Sequence, residues 1–234
     1  MTFDFEIRLL DLTRNREGVT LAELAEQLHI SPDALRDRIA VLNEKGLLTV
    51  SDDAIELDVL KRMSLADYLI RNGRDPEKVS RSFRWQEFED FAVHTLDGNG
   101  YQTFKHLVFK SRAGRREIDL LAWNDNFILI VDCKHWARHL SPSRVRNAAS
   151  AQLERAKLLA ERPDVLAKHG LRITARRDIL PVIVTLAESQ QRIMDGIPIV
   201  PILKLPSFLN GISPVDETLR MVPVQVKFHQ SRLV

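Results

Sequence analysis

The chain has 234 residues, 44% of them hydrophobic and 28% charged, with 34 Lys and Arg against 32 Asp and Glu. That length suits two modest domains or one large one, and the composition is globular rather than fibrous or disordered. No apolar run reaches the roughly 20 residues of a membrane span, and Met1 to Glu6 lack the basic-then-apolar pattern of a signal peptide. The single cysteine, Cys133, excludes disulfides within the chain and cysteine-rich zinc sites; a cytoplasmic protein is expected.

Phe5, Leu9, Leu10 and Leu12 predict a first helix that ends near Gly18. Thr20 can cap a second helix carrying Leu21, Leu24, Ala25 and Leu28. Ser31-Pro32 opens a third, because proline suits the first helical position. Leu35, Ile39 and Leu42 give its apolar face, and Gly46 stops it. Residues 47–50 and 54–57 alternate as a small hairpin around Ser51, Asp52 and Asp53. Residues 1–58 therefore resemble a winged helix-turn-helix domain, with the third helix in the recognition position. Residues 59–80 read as a helical linker, and 81–234 as a second domain.

Charge divides unevenly between these parts. Residues 1–80 carry 11 Lys and Arg against 16 Asp and Glu, and residues 81–234 carry 23 against 16. Phosphate binding needs positive charge, and most of it lies in the second part. In the recognition position Arg36 and Arg38 are offset by Asp33, Asp37 and Glu44. DNA contact through the winged helix and docking of a protein partner therefore both stay open.

Along residues 84–96, at about 100° per residue, Trp85, Phe88, Phe91, Ala92 and Leu96 gather on one arc. Glu89 falls inside that arc and needs a partner, such as Arg84, Lys105 or an ion. Glu87 falls on the far side and reads as solvated. Lys105, Lys110, Arg112, Arg115 and Arg116 then form a basic strip, either phosphate-facing or a solvated edge strand. Ile118-Asp119 and, after a turn, residues 127–131 read as strands, the second buried on both faces. It runs directly into Asp132-Cys133-Lys134. Residues i and i+2 of a strand share a face, and charges there are costly unless paired, metal-bound or functional. If the two strands pair antiparallel, a two-residue or a four-residue loop puts Asp119 on the face of Asp132. A three-residue loop does so only with a bulge. Two acids and a lysine on one face suit divalent-metal hydrolysis.

Residues 143–161 form a further helix, with Val145, Ala148, Ala149, Ala156 and Leu159 on its apolar face. Gln152 sits within that face and must hydrogen-bond to something buried, backbone included. Arg144, Arg146, Arg155 and Lys157 occupy the flanks, where they could meet phosphates. Residues 179–186 and 197–205 read as strands, followed by a short helical turn at Pro206-Ser207. Residues 219–234 are a strand or a tail, and Pro223 favours an edge.

The ordered set Phe88-Glu89, Ile118-Asp119-Leu120-Leu121-Ala122, Asp132-Cys133-Lys134 and Gln152 resembles the PD-(D/E)xK, restriction-endonuclease-like nuclease superfamily. The nearest likeness is to its branch of Mrr-type enzymes and archaeal Holliday-junction resolvases. It covers about a third of the chain, with Asp132 where that branch usually has glutamate. The resemblance implies an α/β fold, a central mixed sheet flanked by helices. It further implies Mg²⁺ (or Mn²⁺) held by Asp119, Asp132 and the Cys133 backbone carbonyl, with Glu89 on the same or a second ion. Lys134 would then orient water or neutralise charge on the phosphate, and Gln152 would position either. Glu117 is an extra ligand or an ion-pair partner of Arg115 and Arg116. His135-Trp136 contact substrate or serve structure. DNA is the implied substrate, met by Lys110, Arg112, Arg115, Arg116, Arg144 and Arg146, with Arg36 and Arg38 from the winged helix; a homodimer is implied too. The expected function is a metal-dependent deoxyribonuclease of repair, recombination or restriction. The alternative is a DNA-binding regulatory protein on a nuclease-like scaffold, and RNA is a weaker substrate option.

Overall fold

The computed structural model describes residues 5–16, 18–52, 54–75, 78–79, 81–134, 141–171, 173, 176–185 and 191–225. The chain divides into compact units of residues 1–91 and 92–234. No helix among the described residues is long and apolar enough to cross a membrane.

The first unit contains α1 (Phe5–Leu12), β1 (Gly18–Thr20), α2 (Leu21–Leu28), α3 (Pro32–Glu44), β2 (Thr49–Ser51), β3 (Ala54–Glu56) and α4 (Val59–Arg71). The starts of α2, α3 and α4 are fixed by side-chain oxygens. Thr20, Ser31 and Asp58 accept from the amides of Glu23, Ala34 and Lys61, satisfying donors that a helix leaves open. Gly46 follows α3 with φ 70°, a left-handed conformation that costs glycine little. The strands pair antiparallel in the order β1-β3-β2, which makes this unit a winged helix-turn-helix. The pairing Val19↔Ile55 brings in β1 as a third strand; a three-residue strand between helices leaves no alternation to read.

Helix α5 (Trp85–Gly98) starts within the first unit and ends in the second. After it come β4 (Gln102–Ser111), β5 (Gly114–Trp123), β6 (Ile128–Lys134), α6 (Pro142–Ala160), α7 (Pro163–Lys168), β7 (Asp178–Thr185), β8 (Ile193–Met194) and β9 (Ile197–Pro201). A turn of 3₁₀ helix (Ile202–Lys204), α8 (Leu205–Gly211) and β10 (Val222–Pro223) complete the described part. The sheet order is β4-β5-β6-β7-β9-β8, with β10 beside β7. Contacts β6–β7 and β7–β9 are parallel and the others antiparallel, so the sheet is mixed. The helical turn after β9 starts before Pro206, so the strand foreseen over 197–205 is shorter. Pro223 sits in a two-residue strand antiparallel to β7, and the rest of the foreseen tail, residues 226–234, lies outside the described residues.

The hairpin that positions the candidate site has the four-residue loop. Trp123 pairs with Ile128, and Asn124 Oδ1 accepts from the amides of Asn126 and Phe127 at 2.9 and 2.8 Å, an Asx turn. Around Asp119 the sheet is irregular. Lys105↔Leu120 and Leu107↔Ile118 are paired while His106 and Asp119 between them are not, and His106 has φ 53°. Ile118 and Leu121 join one apolar cluster, although residues three apart in a regular strand face opposite sides. The strand therefore changes face at Asp119.

Candidate active site

Strand β6 is buried along its length and paired on both sides, so its carboxyl end is a fixed platform. Asp132 lies there at 2% exposure. A carboxylate that deep needs compensating charge, and two cations supply it. Lys134 Nζ donates to Oδ1 at 3.0 Å and stands 2.9 Å from Oδ2. Arg155 Nη1, from α6, donates to Oδ1 at 3.1 Å. Oδ2 is buried and, despite its nearness to Nζ, makes no hydrogen bond. Asp119 reaches the same strand end, where its Oδ2 accepts from the Cys133 amide at 2.8 Å. The Cys133 side chain is fully buried, as its alternation with Asp132 dictates.

Gln152 is 1% exposed. Its Nε2 donates to the carbonyls of Ile130 and Val182 at 2.9 and 3.3 Å, while its Oε1 accepts from Arg155 Nη1 at 2.9 Å. Strand β7 places Pro181 opposite Ile130, and proline has no N–H to offer a neighbouring strand; the carboxamide supplies donors at that level. Gln152 thus pins α6 to β6 and β7 and holds Arg155 against Asp132. Gln152→Leu is expected to lower stability by about 1–3 kcal/mol, since it strands two buried carbonyls. Urea unfolding measures this, and an unchanged midpoint would remove that role.

The other foreseen site residues are placed as follows. Glu89 is buried in the part of α5 assigned to the first unit, and its Oε1 accepts from the Trp85 indole at 2.6 Å. Glu87, expected to be solvated, is instead buried and paired with Arg62 Nε at 2.6 Å. The helical arc identifies only the face toward one core, whereas Arg62 on α4 covers the opposite face. Glu87 Oε2 also accepts from the Arg84 amide at 2.8 Å, the reach-back of a glutamate at the third helical position. That spacing was the available signal. Glu117 is exposed, 3.5 Å from His106 Nδ1.

Lys110, Arg112, Arg115 and Arg116 stand at or beside the β4–β5 turn. Lys110 lies directly across from Arg115, Arg112 pairs with Glu161 at 3.1 Å, and Arg116 donates to the Arg115 carbonyl at 3.0 Å. On α6, Arg144 is exposed, and Arg146 approaches Asp195 at 3.9 Å. In the winged helix Arg36 is bound to Asp33 at 2.5 Å and Arg38 lies over the Phe5 ring, 5.6 Å from its centre. Arg155, foreseen only as a flank residue, is the site residue that sequence reading missed. His135 and Trp136 lie outside the described residues. Among the described residues no group of three His, Cys, Asp and Glu side chains could hold an ion.

Residues 80–160 match the family model of the Mrr catalytic domain, described as a restriction endonuclease. The chain belongs to the PD-(D/E)xK, restriction-endonuclease-like family, in its Mrr branch. Residues 3–49 match a winged helix-turn-helix DNA-binding model. An uncharacterized protein of Archaeoglobus fulgidus is 33% identical over 129 residues, 55% of this chain and 92% of that one. A solved protein of unknown function shares 17% identity over 52% of this chain and 54% of its own, with a TM-score of 0.30. A solved Vibrio cholerae protein shares 15% over 88% and 48%, with a TM-score of 0.32. The chain thus spans about half the length of each of these two solved proteins. Restriction-endonuclease-like domains generally use divalent metals, and this Mrr-type chain pairs such a domain with a winged helix of the DNA-binding type.

Proposed function

We propose that the protein is a metal-dependent deoxyribonuclease hydrolysing DNA phosphodiester bonds. The observation that carries this is the end of β6, where a 2%-exposed Asp132 is met by Lys134 Nζ and Asp119 closes onto the same strand. The donor set suits a hard cation: carboxylates at 119 and 132, the Cys133 carbonyl, and a buried Asp132 oxygen without a hydrogen bond. A Mg²⁺ or Mn²⁺ ion held by these groups would supply Lewis-acid stabilisation of the phosphate and lower the pKa of a bound water.

The chain's own groups divide the remaining work. Asp132 holds the Lys134 ammonium at the strand end, where its other hydrogens can orient a water or meet a phosphate oxygen. Gln152 fixes the helix that carries Arg155. The facing Lys110 and Arg115 repel each other in the free protein, a cost that a polyanion removes. With Arg112, Arg116, Arg144 and Arg146 they form the proposed DNA surface. Arg36 and Arg38 are exposed on α3, and the acidic balance of residues 1–80 supports a docking or dimerisation role for the winged helix alongside DNA contact.

A second reading, a nuclease-like scaffold that binds DNA without cutting, draws on Asp132 being already neutralised by two cations. Incubation with plasmid, single strands and branched DNA separates the two. Cleavage with Mg²⁺ and none with EDTA is expected; intact DNA of every form, with Mg²⁺ and with Mn²⁺, would leave the scaffold.

A further inference from the structure

We infer that Arg155 is a phosphate clamp built into this site. The inference takes its location from the nuclease reading but is tested without cleavage. A guanidinium has five N–H donors in a planar fork. Arg155 commits both hydrogens of Nη1, one to Asp132 Oδ1 at 3.1 Å and one to Gln152 Oε1 at 2.9 Å. Its Nε and Nη2 groups make no hydrogen bond among the described residues. They form the edge whose two parallel N–H groups match two oxygens of one phosphate.

The anchoring is unusually firm for so long a side chain. Gln152 is itself held by two main-chain carbonyls, and Asp132 sits on a strand paired on both sides. The guanidinium is therefore oriented before any ligand arrives, which cuts the ordering cost of binding. At 27% side-chain exposure it is still reachable from solvent. One nitrogen is spent on orientation and a bidentate edge is kept in reserve. A group needed only to neutralise Asp132 would have no use for that edge, because Lys134 already stands at both carboxylate oxygens. The ligand class is a phosphodiester, gripped beside the acid that the proposed chemistry needs.

The test measures binding of a short fluorescein-labelled DNA duplex by anisotropy in EDTA, across a salt series, for wild type, Arg155→Gln and Arg155→Lys. Arg155→Gln is expected to weaken binding about tenfold and to make the slope of log affinity against log salt shallower by about 0.9, one phosphate contact. Arg155→Lys is expected to restore the slope but not the full affinity, because an ammonium cannot present two parallel donors. Unchanged affinity and slope in Arg155→Gln overturn the clamp, and so does weaker binding at an unchanged slope, which is the mark of a structural role. A parallel cleavage assay of wild type in Mg²⁺ keeps the readings apart. Cutting by wild type with no Arg155 effect on binding sinks only the clamp, whereas an Arg155 effect on binding without cutting sinks only the nuclease.

Discussion

Lys134→Ala is expected to lower Mg²⁺-dependent DNA cleavage by at least 10²–10³-fold, the usual cost of removing one preorganised charge from a reacting phosphate. The fold should survive, because Lys134 lies at the end of β6 with 29% of its side chain exposed. Far-ultraviolet circular dichroism and the thermal midpoint provide that control. Asp132→Asn, close in shape, should lose at least as much activity, since it weakens a proposed ion ligand and the partner of two cations at once. Both variants should still bind duplex DNA in EDTA. Retained cutting by either purified variant would sink the site assignment.

Arg62→Met is expected to destabilise the first unit by about 3–5 kcal/mol, the range for breaking a buried ion pair by removing one partner. Arg62 is 2% exposed and spends its donors on four groups: Glu87 Oε1, the carbonyls of Leu10 and Ser82, and the Thr13 hydroxyl. Its guanidinium also lies 5.2 Å from the centre of the Phe83 ring. Burial pushes its pKa below the usual arginine value, and the neighbouring Glu87 charge offsets part of that. Without Arg62, Glu87 would be left charged and buried at the first turn of α5. Arg62→Met combined with Glu87→Leu should recover part of the loss, because the stranded charge is gone while the Leu10 and Ser82 carbonyls still lack their donor. Chemical denaturation measures both. A loss under about 1 kcal/mol in the single variant would show that the network adds little to stability.

The end of β6 was legible because a doubly buried strand runs straight into charges, a pattern with few physical explanations. The winged helix was legible through its caps, Thr20, Ser31 and Gly46, whose positions fix where helices start and stop. The hairpin loop could be narrowed to two productive lengths but not chosen, since the choice rests on the Asn124 side chain closing an Asx turn. Glu87 was misplaced because its partner comes from α4, 25 positions earlier, and the periodicity of one helix carries no information about another. Arg155 was sorted to a flank because a helical wheel records where a side chain leaves the axis, while a long guanidinium folds back over Gln152. The left-handed His106 inside a strand left no signature in the alternation at all.

Near the end of strand β6 one amide, that of Cys133, is tied to the side chain of an acid on β5. Any ion that draws the Asp119 carboxylate toward itself must bargain with that N–H. Filling of the proposed ion site and fraying of the strand tip are thereby linked, so the deuterium uptake of a single backbone proton would report occupancy without a substrate being present.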